Sequence, residues 1–208
     1  HRAMFGRCAS ALVVLNIGGI SNVSVLSADK VELGFDCGPG NALMDHWCQQ
    51  HTGAPFDDGG AWARTGKANA ELVQAMLREP YFSSAAPKST GRDLFNPTWL
   101  DRVLPSLGTR ISPADVQASL LELTALSCAR DVQRYAPAAR LLLVCGGGAF
   151  NAHLMRRLAA RLPGISVQST ATQGVPPDQV EALAFAALAK AFIERQPGNL
   201  PSVTGARG

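Results

Sequence analysis

Hydrophobic positions divide this 208-residue chain into two β-rich ends and an irregular middle. Residues 11–26, "ALVVLNIGGISNVSVL", hold two apolar runs separated by Gly18 and Gly19. In the second run Val23 and Val25 alternate with Asn22 and Ser24, which predicts a hairpin. "KVELGFD" reads as a third strand ended by "CGPGN", and "NALMDHWCQQH" then places Leu43, Met44 and Trp47 at helical spacing.

From about 52 to 110 Gly, Pro, Asp and Ser dominate, with one short helix at "KANAELVQAMLRE" and an ordered loop through "PYFSSAAPKSTGRDLFNPTWL". A helix opens at Ser112, a capping residue followed by Pro113 and Asp115, and runs to about Tyr135, burying Val116, Leu120, Leu123 and Val132. The last third predicts a strand over 140–145, a glycine turn and a helix over 150–162 with Leu154, Met155, Leu158 and Leu162 on one face. A strand at "ISVQS" follows, then an alanine-rich helix after Pro177 that should pack tightly. The order is β-β-β-α, an insertion, then β-α-β-α. The tail "QPGNLPSVTGARG" should lie on the surface.

The net charge is +3 and the basic residues are scattered, which gives no footing for nucleic acid. The opening apolar run is too short for a membrane span, and five cysteines without a CxxC pair suit a reducing cytoplasm. Cys37, His46, Cys48 and His51 contain the atoms of a zinc site, but His46 and Cys48 lie about 200° apart around a helix. Cys145 has no histidine placed by sequence as the partner of a nucleophile.

Three glycine turns stand at strand ends or bends: "NIGGISN", "FDCGPGN" and "VCGGGAFN". Strands aligned in one sheet would bring them to one edge, where backbone N–H groups cradle an anion. Glycine also serves turns for steric reasons alone, and that reading stays open for any single turn. Asp36, at a strand terminus, and Glu181, near the start of the last long helix, are the carboxylates best placed for phosphoryl transfer. Asp45, Asp57 and Asp58 read as solvated or capping. "PKSTGRDLFN" suits an anionic or sugar group, an Ω-loop or an oligomer contact equally.

"LNIGGISNVSVL", "GFDCGPGNALMD", "GAWARTG", "PKSTGRDLFN", "VCGGGAFN" and "PGNLPSVTGA", in this order, resemble the anhydro-N-acetylmuramic acid kinases of bacterial cell-wall recycling. The resemblance implies an α/β fold, an actin-like ATPase (ribonuclease H-like) domain. It would have a mixed five-stranded sheet, helices on both faces and an insertion at about 52–135. Residues 1–208 would be the second, C-terminal domain of a two-domain kinase, with its N-terminal domain ahead of residue 1.

In that likeness Asn16, Gly18, Gly19, Asp36, Gly38, Gly40, Asn41, Gly146, Gly147, Gly148 and Asn151 bind ATP. The third glycine of the last turn would admit the nucleotide close to the backbone. Asp36 would hold Mg2+ through water, and Glu181 would be a sugar-side cleft residue.

The reaction implied opens the 1,6-anhydro ring with water and moves the γ-phosphate of ATP to O6, giving N-acetylmuramate 6-phosphate and ADP. The activating aspartate and a GTSxDG-like first phosphate loop are expected before residue 1. No catalytic residue is then assigned to this chain, which is expected to be inactive alone. A homodimer in the bacterial cytoplasm is expected, without membrane or nucleic-acid partners. A non-catalytic nucleotide-binding or dimerisation module of the same fold is the alternative.

Overall fold

The computed structural model describes residues 12–26, 33–108 and 110–198. The predicted tail beyond 198, the start of the third strand and Cys8 lie outside them. Strands β1 (Leu12–Ile17), β2 (Ile20–Leu26), β3 (Leu33–Pro39), β4 (Leu141–Cys145) and β5 (Ser166–Ser169) form one sheet in the order β3-β2-β1-β4-β5. β1, β2 and β3 pair antiparallel, whereas β1–β4 and β4–β5 are parallel. The sheet is mixed because the first three strands form a meander, while β4 and β5 are each entered from a helix.

β1 is central, and its two sets of side chains enter different cores. Val13, Leu15 and Ile17 face the main core beneath α1 (Ala42–Thr52), α4 (Pro113–Tyr135) and α5 (Ala152–Arg161). Leu12 and Val14 pack on the other face with Leu26, Leu143, Cys145 and Val180. Full burial of each such aliphatic contributes about 1.5–3 kcal/mol, so this strand anchors the turn that follows it.

The segment 52–135 does not behave as one unit. Its first part carries α2 (Ala70–Leu77) and α3 (Pro97–Val103), capped by Asn69 and Asn96 through bonds from Leu72 N and Trp99 N. The stretch around 80–100 holds its shape through aromatics: Phe95 meets Tyr81, Phe82 and Trp99 at centroid distances of 5.7, 5.4 and 5.2 Å. Its last part, α4, is the long helix of the core. Ser112 Oγ accepts from Asp115 N at 3.2 Å, and residues from Val116 to Val132 are buried on most faces.

α5 is held to α4 by Glu122, whose Oε2 accepts from Arg157 Nε at 2.7 Å and whose Oε1 accepts from Arg161 Nε at 2.8 Å. Burial pushes the Glu122 carboxyl up, but the two arginine bonds outweigh it and leave it below the usual glutamate range.

α6 (Val180–Ile193) corrects the expectation of tight packing. Only Val180 is buried, while Phe185, Phe192 and Ile193 are 65%, 84% and 79% exposed. An apolar helix predicts burial but does not say against what, and the other described residues leave its surface open.

Candidate functional site

The β1–β2 turn at Gly18–Gly19 caps the start of α1. The Gly18 carbonyl accepts from Asn41 N at 2.7 Å, and the Gly19 carbonyl accepts from Gly40 N at 2.9 Å and Ala42 N at 3.2 Å. A Cβ at Gly40 would overlap the Gly18 carbonyl. Gly38 has φ +140°, and Phe82 fills the space where its Cβ would lie. These contacts join the first two glycine turns, with the amides at 40–42 serving the hairpin. Gly38 and Gly40 face protein.

The third turn follows β4 and is anchored where Gly146 N donates to the Pro177 carbonyl at 3.0 Å. Gly146 adopts φ +77°, a left-handed conformation that any side chain would strain, and Asn16 Oδ1 and the Ile17 carbonyl occupy its Cβ position. Ile17 fills the same position at Gly148. Close packing against β1 leaves no room for a side chain at the third glycine. Gly147 is the open one: the nearest atom to its Cβ position is Asn41 Nδ2 at 3.2 Å. Its amide and that of Gly148 begin a 3-10 turn, Gly147–Phe150, where the first N–H groups have no partner within the turn.

A cavity of about 460 Å³ opens beside Gly147. Asn41 and Asp45 of α1 form one wall, Phe150 and Asn151 another, and Phe56, Asp57, Asp58 and Gly59 a third. Asn151 caps α5 by accepting from Leu154 N at 2.9 Å. Asn41 is fixed by donating to the Ile17 carbonyl at 3.2 Å. Phe56 and Phe150 are 55% and 60% exposed, two aromatic faces left open at one cavity. Asp57 does cap, accepting from Trp62 N and Ala63 N, both at 2.8 Å, and it does so in the cavity wall.

Burial raises the Asp45 carboxyl to about 6; nearby Arg92 opposes that and Asp57 adds to it. The native state therefore holds a proton that the unfolded chain, near 3.8, has released. This support is complete below 3.8 and gone above about 6. Asp45→Asn is expected to raise the melting temperature most above pH 6, with the gain shrinking as the pH falls toward 4. Thermal melts across that range check it.

Asp36 lies outside this lining. Its Oδ2 accepts from Ser89 Oγ at 3.0 Å and Thr90 N at 2.9 Å, its N donates to the Lys88 carbonyl at 3.0 Å, and its own carbonyl accepts from Tyr81 Oη at 2.6 Å. "PKSTGRDLFN" thus forms an ordered strap on β3, and the Arg92 guanidinium covers the Cβ side of Gly19. Glu181 is exposed in the first turn of α6, a short distance in sequence beyond the Pro177 anchor. Asn16 sits against Gly146. Among the described residues no cluster of three or more His, Cys, Asp or Glu could hold a metal ion.

Asp45, Phe56, Asp57 and Phe150 were not singled out from sequence as ligand residues, whereas Arg92 belongs to the "PKSTGRDLFN" stretch read as suiting an anionic or sugar group. The available signal was an aromatic beside each glycine turn, in "PFDDGG" and "GGGAF".

The sequence profile of the family described as anhydro-N-acetylmuramic acid kinase matches residues 1–208. The chain belongs to this family. It is 57% identical over 214 residues to the anhydro-N-acetylmuramic acid kinase of Variovorax paradoxus and 56% identical over 210 residues to that of Cupriavidus pinatubonensis. Both matches cover 100% of this chain and 56% of the relative, so the chain spans little more than half their length.

Among solved structures, the activator of the 2-hydroxyisocaproyl-CoA dehydratase from Clostridium difficile with bound ADPNP aligns with a TM-score of 0.54 at 16% identity. It covers 88% of this chain and 62% of that one. This is a likeness of fold, that of actin-like ATPase domains. Within the described residues of this anhydro-N-acetylmuramic acid kinase family member, no helix is long and apolar enough to cross a membrane.

Proposed function

We propose that residues 1–208 are the nucleotide-binding C-terminal domain of a cytoplasmic bacterial kinase of peptidoglycan recycling. Its substrates are ATP and 1,6-anhydro-N-acetylmuramic acid. The observation that carries this reading is the cavity in which an open glycine, two fixed asparagines and two exposed aromatics meet at the end of the sheet.

The residues fit a nucleotide. Phe56 and Phe150 offer stacking faces for a base. The amides opening the turn at Gly147 suit a polar or anionic group, and Asn41 and Asn151 supply polar edges. The Gly18–Gly19 turn, with Arg92 over it, faces the transferring phosphoryl group. ATP with Mg2+ supplies that group and the charge that neutralises it. Mg2+ would bind with the phosphates and neutralise their charge, and Asp36 is the carboxylate that would meet it, through water.

Opening a 1,6-anhydro acetal with water requires a base. The sequence reading assigns that base to an aspartate ahead of residue 1, but one observation favours Asp36. Two donors hold Oδ2, fixing the carboxylate in one orientation, and Oδ1 accepts no hydrogen bond from the described residues. In this reading Asp36 takes a proton from water as the water oxygen bonds to C1 and the C1–O6 bond breaks. O6 bonds to the γ-phosphorus, and the bond to the β-phosphate oxygen breaks to release ADP. Glu181 lies on the sugar side.

The preceding domain supplies the other wall of the cleft, and the open apolar surface of α6 agrees with a contact to that domain or to a second copy. Incubating the full-length protein with the anhydro sugar and Mg·ATP, with mass spectrometry of the products, tests the reading. N-acetylmuramate 6-phosphate and ADP in equal amounts are expected, with none from residues 1–208 alone. Absence of the phosphorylated sugar with the full-length protein would leave the non-catalytic nucleotide-binding module.

A further inference from the structure

The strap that holds Asp36 is itself tied down from below. Residues 88–90 lie along the outer edge of β3, the edge strand of the sheet, and cover backbone groups that would otherwise be open. The Lys88 carbonyl accepts from Asp36 N, while the Lys88 side chain turns into the core. There Nζ lies 3.3 Å from Asp131 Oδ2 on α4, and the two side chains are only 5% and 10% exposed. The ammonium also sits over the rings of Tyr81 and Phe35, 5.0 and 5.9 Å from their centroids. About one turn further along α4, Tyr135 Oη accepts from Ala86 N at 2.8 Å. Two points on one rigid helix thus pin the strap just ahead of the residues that hold the carboxylate.

Stability alone does not account for this pair. Removing two charges from water costs several kcal/mol each, and an apolar pair of similar volume is often as stable or more so. A use of buried polar and charged groups attested elsewhere is to set the register of one element on another. Cys37, on the opposite side of β3 from Asp36, is fully buried near the same charges, so the strand is constrained from beneath as well.

We propose that the buried Lys88–Asp131 ion pair positions the Asp36 carboxylate by fixing the strap that carries its Ser89 and Thr90 donors. Lys88 and Asp131 are then positioning residues, acting through Asp36 without touching substrate. The proposal rests on Asp36 being the base that activates water.

The test compares full-length wild type, Asp36→Asn, the apolar double variant Lys88→Met/Asp131→Leu, and Asp131→Asn, which keeps the side-chain shape and removes the charge. In the double variant, kcat for sugar phosphorylation is expected to fall about 100-fold, the scale of a misplacement near 1 Å, with KM within about twofold. Melting temperature and Mg·ADP affinity should hold, while amide exchange at Thr90 quickens at least about tenfold as the strap loosens. Wild-type kcat and unchanged Thr90 exchange in a folded double variant would overturn the proposal. Should that variant not fold, Asp131→Asn decides: a kcat about tenfold lower at unchanged KM supports the proposal, and wild-type kcat overturns it. Asp36→Asn at wild-type kcat removes the reading beneath the proposal, and the proposal with it.

Discussion

Asp36→Asn in the full-length protein is expected to lower kcat for sugar phosphorylation about 10³-fold while leaving Mg·ADP affinity and melting temperature nearly unchanged. The substitution is close to isosteric, and its amide oxygen can still accept from Ser89 Oγ and Thr90 N, so the strap keeps its place. What is lost is the capacity to take a proton from water. A residue that only held Mg2+ through water would show a different pattern, with kcat restored in part by higher Mg2+. A kcat close to wild type would instead place the activating aspartate ahead of residue 1, as the sequence reading has it. Product formation and calorimetric titration on the same preparation separate these outcomes.

The fold was largely legible because its strands carry patterns with one solution. Alternation through 22–25 against a β1 apolar at every position but Asn16 points to a hairpin, and Ser112 marks a helix start by its capping chemistry. The site was legible only in part, because two of its walls come from pairings that no local pattern encodes. The turn at 57–60 lies against α5: Asn151 Oδ1 and His153 Cβ fill the Cβ position of Gly60. That long-range contact turns Asp57 and Asp58 from surface residues into cavity walls. Asp45 looked solvated because its helix position faces outward until Arg92 and the 57–60 turn close over it. α6 failed in the opposite way: its composition demands a partner, but composition does not state which chain segment provides one.

The glycine triplet at 146–148 yields a sharp test because its members do different work. Gly147→Asp places a Cβ where only the Asn41 amide is near, at 3.2 Å, so the chain can still fold. Its carboxylate enters a cavity already walled by Asp45, Asp57 and Asp58, where a bound phosphate would meet it at close range. Mg·ADP affinity is expected to fall at least about 100-fold, equivalent to about 2.7 kcal/mol, with a melting temperature near wild type in the absence of ligand. Gly148→Asp, one residue on, is expected to behave otherwise. Its Cβ would overlap the Ile17 side chain, so melting temperature falls before binding can be measured. Calorimetry of the first variant and thermal melts of both check the pair. If Gly147→Asp binds Mg·ADP as wild type does, the cavity is not the nucleotide site. If both variants fail to fold, the whole triplet serves the packing of β4 against β1, and the nucleotide must be sought nearer the Gly18–Gly19 turn.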